Sequence, residues 1–320
     1  MKHTLLSALC VATLTCAAPT GTAQAFIPTR ARVLQFKLIP VGASMAITSA
    51  AMPAAIVSGS FLVPGIGPVI AGVGIALAGI STYNLGKTSI SHDAITEMAL
   101  RSSLFEFYDI HKDTPEITAA RSDIVSANIH VDDDQKSPWK HFDNESFSEG
   151  QTWITAQKQT TVQLARQGRF ADARWHLGQA LHAIQDFYSH SNWIELGNRV
   201  IHEHLGQDDY LFQNPAPDKQ ACVKGNIITT DTLTSGYYSD SAADIPAHKC
   251  LHGEVRQGNG IAKDSGLYTF GRLKDGHKIA AALAITASRK YLWELRSALK
   301  EEALVNGILG VSAEIHFTPR

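Results

Sequence analysis

The chain has 320 residues, of which 44% are hydrophobic and 18% are charged, and its formal net charge is −2. A chain of this size and composition buries a full hydrophobic core, which excludes global disorder. The near-zero net charge gives no electrostatic sign of duplex nucleic acid binding, so no duplex nucleic acid partner is expected. The sequence has 14 histidines and 4 cysteines. This excess of histidine favours a metal-binding or acid–base role.

Residues 1–25 have the features of a secretory signal peptide. Lys2 precedes a mostly apolar stretch from Leu5 to Ala18, and Ala23-Gln24-Ala25 forms a small-residue cleavage site before Phe26. The sequence therefore predicts a secreted or periplasmic protein.

Two of the four cysteines, Cys10 and Cys16, lie within this predicted signal peptide. Cys222 and Cys250 remain as an even pair, and an oxidising compartment favours a disulfide over two buried thiols. We therefore expect them to be linked and to hold a long Gly- and Asp-rich excursion over residues 206–276.

Residues 26–87 form an apolar, Gly- and Ala-rich segment. No charged residue lies between Lys37 and Lys87, a gap of 49 residues, and the run Pro64–Pro68 interrupts it. This pattern predicts a hairpin of two apolar helices joined by a tight turn. The second helix, Val69–Ile80, has 12 residues, fewer than the roughly 20 that span a bilayer. A hairpin buried in protein and a hairpin that contacts a membrane both fit the pattern.

Residues 88–320 have the composition of a helical domain. Ser91 precedes a predicted helix that begins at His92 with an acidic residue in its first turn. Further helices are predicted over residues 148–165, 170–196 and 277–304, and residues 112–150 are predicted to be loop with short helices. Alternating strand patterns are scarce, so the predicted fold class is mainly α.

A candidate metal site lies in the helix predicted over residues 170–196. His182, Asp186 and His190 recur every four residues, so they share one helix face. The outer two are about 12 Å apart along the axis, whereas zinc–ligand bonds are only about 2.0–2.2 Å long. The spacing therefore predicts more than one ion, with the two oxygens of Asp186 reaching toward both.

Three blocks of the sequence resemble the HET-C family, which includes bacterial secreted phospholipases C. They are Asn128-x-x-x-Asp132-x-x-Gln135, then His141–Phe147, then His182-x-x-x-Asp186-Phe187-x-x-His190-x-Asn192-x-x-Glu195. The segments Lys249–Gly253 and Gly260–Asp264 are similar to later blocks of that family.

The resemblance implies an all-α, zinc-dependent phospholipase C-like domain with two or three Zn²⁺ ions. The implied metal ligands are His92, Asp132, His141, His182, Asp186 and His190. In such sites a His-x-x-x-Glu pair completes the coordination of the last ion. The candidates for this role here are Glu195, His204 with Asp208, and His252. Glu195 and His252 are included in the expected ligand set.

The function that the resemblance implies is hydrolysis of the phosphodiester of glycerophospholipids. In that mechanism a zinc-bound water attacks, and Asp132 acts as a catalytic residue that accepts its proton. The expected partners are a phospholipid substrate and a membrane surface. Two alternatives stay open, namely a zinc nuclease on the same scaffold and a non-catalytic, membrane-interacting HET-C-like protein.

Overall fold

The computed structural model describes residues 90–225, 227–239, 241–253, 260–264 and 275–317. Within these ranges the chain has six α-helices, four two-residue strands and short 3₁₀ turns, which confirms the mainly α class. The helices are α1 (His92–Tyr108), α2 (Pro115–Ile129), α3 (Phe147–Arg166), α4 (Phe170–His190), α5 (Gly276–Leu299) and α6 (Glu302–Leu309).

The predicted signal peptide, residues 1–25, and the whole of the predicted apolar segment, residues 26–87, lie outside the described residues. Among the helices that the structure describes, none combines the length and the apolar character needed to cross a bilayer.

Helix α4 lies at the centre of the helical domain, where α2, α3 and α5 pack against it and α1 packs on α2 and α5. From Leu177 to His190 every side chain of α4 is buried. Leu177, Leu181 and Phe187 belong to the main hydrophobic core. Because this part of α4 has no face toward water, each polar side chain on it needs a partner inside the protein.

Three helix boundaries differ from the sequence-based expectation. Residues 115–129, predicted as loop, form α2, whose first turn is capped by the Thr114 side chain accepting from Ile117 N and begins with Pro115. Helix α4 ends at His190 rather than near 196, because the backbone of Asn192 pairs with Thr234. The last predicted helix is broken at Lys300, which has φ 62° and separates α5 from α6.

The excursion between α4 and α5 carries the four strands: β1 (Cys222–Val223), β2 (Ile227–Ile228), β3 (Gly236–Tyr237) and β4 (Cys250–Leu251). Strands β1 and β2 pair antiparallel, and β3 and β4 pair parallel. A disulfide joins Cys222 to Cys250, as the sequence predicted. The buried ammonium of Lys249 lies 2.6 Å from Glu145 Oε2 and ties the excursion to the helical domain.

Candidate metal centre

The carboxylate of Asp186 lies at the middle of a buried cluster of histidines. Its Oδ2 is 2.9 Å from His182 Nε2 and 3.0 Å from His141 Nδ1. Its Oδ1 is 3.1 Å from His92 Nε2. None of these four side chains is more than 1% exposed. Three ring nitrogens therefore converge on one carboxylate. They come from α1, from α4 and from the loop that contains His141, which we call the 141 loop.

Asp132 adds a second carboxylate to this cluster. It lies in a 3₁₀ turn, His130–Asp133, that continues directly from α2. Its Oδ1 is 3.6 Å from His182 Nε2, and Gln135 Nε2 donates to the same oxygen at 3.2 Å. We call His92, Asp132, His141, His182 and Asp186 the Asp186 centre. Its donor atoms form two overlapping groups of metal-binding geometry that share His182.

Neighbouring acceptors fix which ring nitrogen faces Asp186. His141 Nε2 donates to the Asp134 carbonyl at 3.1 Å, so its Nδ1 points inward. His92 Nδ1 donates to Gln185 Oε1 at 2.6 Å. This assignment follows because a carbonyl oxygen only accepts, so the nitrogen facing it carries the proton. The inward nitrogens then need a cation, either a proton or a metal ion, between themselves and the carboxylate.

The charges of the cluster suit metal ligands. Burial opposes ionisation of Asp186, but the charged histidines around it, His190 and His92 among them, hold its pKa well below the ordinary value. Burial lowers the pKa of His182 to about 3, and burial raises the pKa of Asp132 to about 7. An ionised Asp186 and a neutral His182 are the forms in which these side chains bind metal.

A second group of donors lies beyond the Asp186 centre, at the end of α4. Asp143, His190 and His252 present donor atoms that lie within 4.8 Å of one another. Asp264 Oδ1 is 3.3 Å from His190 Nε2, so it borders the same group. We call these four residues the Asp143 centre. His182 and His190 thus belong to different centres, although they share a helix face.

Of the residues that competed to complete the last predicted site, His252 alone joins a centre. The Glu195 carboxylate instead lies 3.1 Å from Lys263 Nζ. His204 Nδ1 pairs with Gln207 Oε1, and Asp208 lies 3.2 Å from Lys158 Nζ. The expectation that Glu195 is a ligand is corrected by its pairing with a buried lysine.

Sequence reasoning missed Asp143 and Asp264 as candidate ligands. Asp143 is two residues beyond His141 and was visible as part of the His141–Phe147 block. Asp264 belongs to the Gly260–Asp264 block, but no helical spacing marks it, because contacts distant in sequence bring it to His190.

The fold and the site define a mainly α domain with a buried His- and Asp-rich centre. A family model described as the VWA7 N-terminal domain matches residues 95–305, which is more than half of the chain. The match includes eight of the nine residues of the two centres, since only His92 precedes it. The chain belongs to this family.

Three curated relatives are each called von Willebrand factor A domain-containing protein 7. The rat protein is 35% identical over 219 residues, which cover 63% of this chain and 24% of the relative. The mouse protein is 37% identical over 184 residues, covering 53% and 20%. The human protein is 33% identical over 226 residues, covering 65% and 25%. The chain therefore matches about a quarter or less of each relative's length. No solved structure matches it.

These matches overturn the family and function inferred from the sequence. The chain is a member of the VWA7 N-terminal domain family, not of the HET-C family or the phospholipases C. The expected zinc-dependent phosphodiester hydrolase, its nuclease and HET-C-like alternatives, and the catalytic role of Asp132 are corrected with it. The reason is physical. Residues four positions apart lie on one face of any α-helix, so the spacing of His182 and Asp186 can occur in unrelated helical proteins and does not identify a family.

Proposed function

We propose that this domain binds a divalent metal ion at the Asp186 centre and that the ion stabilises the helical fold. The observation that supports it most directly is the convergence of three imidazoles on Asp186. Outer hydrogen bonds fix the orientation of two of these rings, His92 and His141. Metal-binding histidines characteristically donate their other ring nitrogen in this way. His182 belongs to both donor groups, and its Nε2 faces both Asp132 and Asp186. Because one ring nitrogen binds one ion, we propose a single ion here.

Zn²⁺ fits this donor set best. Imidazole and carboxylate donors suit zinc, whereas an all-oxygen set would favour Ca²⁺ or Mg²⁺. Donors that surround a zinc ion tetrahedrally at about 2.0–2.2 Å lie about 3.3–3.6 Å from one another. The separations of His182 Nε2 from His141 Nδ1, 3.2 Å, and from Asp132 Oδ1, 3.6 Å, fall close to this range.

Burial supports a stabilising role for the ion. Structural zinc sites are closed by protein ligands, and the free energy of binding the ion adds to the free energy of folding. Asp132, at 7%, is the most exposed residue of the Asp186 centre. The donors come from α1, from the turn after α2, from the 141 loop and from α4, so one ion joins four parts of the domain.

The test is metal content and thermal stability of the purified protein after zinc reconstitution and gel filtration. We expect at least one tightly bound Zn²⁺ per chain and a Tm that falls by 10 °C or more on chelation. Asp186→Asn should lose this ion, whereas the control Asp172→Asn, the same change at a half-exposed position of α4, should keep it. Wild-type protein that holds less than one Zn²⁺, or keeps its Tm on chelation, would overturn the proposal, and circular dichroism shows whether Asp186→Asn is folded.

A further inference from the structure

We propose that the Asp143 centre binds a second metal ion and that this ion fastens the excursion to the helical domain. The Asp143 centre shares no donor with the Asp186 centre, so the two metal-binding proposals can be tested separately. His190 and Asp143 come from the helical domain, at the end of α4 and in the loop before α3. His252 and Asp264 come from the excursion, directly after β4 and in the segment 260–264.

The two histidines present their Nε2 atoms to each other. His190 Nδ1 lies 2.9 Å from the His141 carbonyl and 3.0 Å from Asp143 Oδ1, and both neighbours only accept, so Nδ1 carries a proton. His252 Nδ1 donates to the Gly253 carbonyl at 2.8 Å. Their Nε2 atoms are 3.0 Å apart. Two nitrogen lone pairs at this distance repel each other unless a cation lies between them.

Two carboxylates complete a four-donor set around these nitrogens. Asp264 Oδ1 is 3.3 Å from His190 Nε2 and its Oδ2 is 4.0 Å from His252 Nε2. Asp143 Oδ1 is 3.9 Å from His252 Nε2. Asp264 Oδ2 is buried and accepts no hydrogen bond from the residues that the structure describes. Two imidazoles and two carboxylates form a closed zinc-type site.

An outer contact orients the aspartate from the excursion. Ser189 Oγ, on α4, donates to Asp264 Oδ1. Partners of this kind orient metal ligands, and their loss typically weakens metal binding by about 10–100-fold. Since Ser189 immediately precedes His190, the end of α4 supplies both a ligand and the partner of another ligand.

The part of the excursion around the disulfide has only a small apolar cluster. Phe212, near the start of the excursion, packs in the main hydrophobic core, whereas the buried cluster around the disulfide consists, among the described residues, of Ala221, Cys222, Cys250 and Ile261. Buried ion pairs, Lys249 with Glu145 and Lys263 with Glu195, join it to the helical domain. Buried pairs contribute little net stability because desolvation offsets their attraction. A metal ion held by His252 and Asp264 on one side and by His190 and Asp143 on the other would add an attachment at this part of the excursion.

The experiment compares zinc stoichiometry and proteolysis in four full-length proteins. Wild type should bind two Zn²⁺, and both Asp264→Asn and Asp132→Asn should bind one. The control Asp244→Asn, at an exposed position of the excursion, should bind two. Cleavage within residues 206–276 by a limiting amount of protease should speed up at least ten-fold in Asp264→Asn and not in Asp132→Asn.

A milder variant keeps the proposal testable if Asp264→Asn misfolds. Ser189→Ala retains every ligand and should weaken binding of one of the two ions about ten-fold. A wild type that binds a single ion, lost in Asp132→Asn, would overturn the second site and leave the first. A wild type that binds none would overturn both. Two ions retained by both Asp264→Asn and Ser189→Ala, or unchanged proteolysis in Asp264→Asn, would also overturn the proposal.

Discussion

Gln185 Oε1 accepts a hydrogen bond from His92 Nδ1 at 2.6 Å, and Gln185 immediately precedes Asp186, the central residue of the proposed metal site. The amide is itself oriented, because its Nε2 donates to Thr96 Oγ1 at 2.9 Å. Gln185 therefore fixes which nitrogen of His92 faces Asp186. Among the described residues, His92 is the ring of the Asp186 centre to which Gln185 is hydrogen-bonded, so we expect it to act on the proposed ion through His92.

We predict that Gln185→Leu weakens zinc binding at the Asp186 centre by about 10–100-fold, since the ring loses its outer partner. Gln185→Glu restores an acceptor for Nδ1 and should recover most of the affinity. Competition with a chromophoric chelator measures both. Equal affinity of Gln185→Leu and wild type would show that His92 needs no such support or is not a ligand.

A second prediction concerns His202, whose ring lies among aromatic side chains away from both centres. Its centroid is 4.6 Å from that of Phe212 and 5.0 Å from that of Trp193. Burial lowers the pKa of His202 to about 4. Between pH 6.5 and 4 the unfolded chain binds a proton here that the folded chain does not, so stability falls as pH falls through this window.

His202→Phe removes that proton-binding difference and should flatten the acid side of the stability profile. We expect it to recover about 1–2 kcal/mol of unfolding free energy between pH 7 and pH 5, less than the full shift implies because the ring is partly exposed. Urea unfolding at the two pH values measures this. His316→Phe, at an exposed position, is the control, and an unchanged profile in His202→Phe would contradict the prediction.

The sequence was sufficient to predict the mainly α class and the candidate site residues that lie on α4, because both depend on patterns within short stretches of sequence. His182, Asp186 and His190 share a helix face because their spacing is a helical period. The capping position of Ser91 placed the start of α1 at His92. Helix α2 was missed because Ser, Asp and Asn are numerous in and around it. Its start at Thr114-Pro115 and the apolar residues that follow from Ile117 do fit a helical pattern.

The parts that sequence could not predict depend on contacts distant along the chain. Asp264 reaches His190 only because the excursion folds back onto the end of α4. Glu195 looked like a ligand three residues after Asn192, but the buried ammonium of Lys263 takes its carboxylate. No periodicity encodes either relationship, and the same limit explains why a helical spacing of His and Asp suggested the wrong family.

A third prediction concerns the Cys222–Cys250 disulfide. The two cysteines are 28 residues apart, and closing a loop of this size contributes about 2–4 kcal/mol. His252 follows Cys250 by two residues, so the bond also limits where that ring can lie. The Cys222→Ser/Cys250→Ser double variant should have a lower Tm and faster cleavage within the excursion.

The same variant should weaken zinc binding at the Asp143 centre and leave the Asp186 centre unchanged, because no ligand of the latter lies in the excursion. Asp132→Asn, combined with the double variant, isolates the weakened site for titration. If this site keeps its wild-type zinc affinity without the disulfide, the disulfide does not determine the position of His252.

The last prediction concerns Gly178, where α4 lies close against α2. A Cβ placed on Gly178 would lie 2.4 Å from the Ile124 carbonyl oxygen and 2.6 Å from Ala127 Cβ. In an open helix, Gly→Ala gains about 1 kcal/mol. Here the new methyl group meets backbone that cannot rotate away, so the sign reverses and we expect a loss of about 1–3 kcal/mol from overpacking.

The effect should extend to metal binding, because α2 runs directly into the 3₁₀ turn that carries Asp132. Pushing α2 away from α4 moves Asp132 away from His182 and should weaken zinc binding at the Asp186 centre. Urea unfolding of the zinc-free protein and a zinc titration measure the two effects separately. A Gly178→Ala protein that is at least as stable as wild type would contradict the predicted overpacking, and an unchanged zinc affinity would contradict the predicted displacement of Asp132.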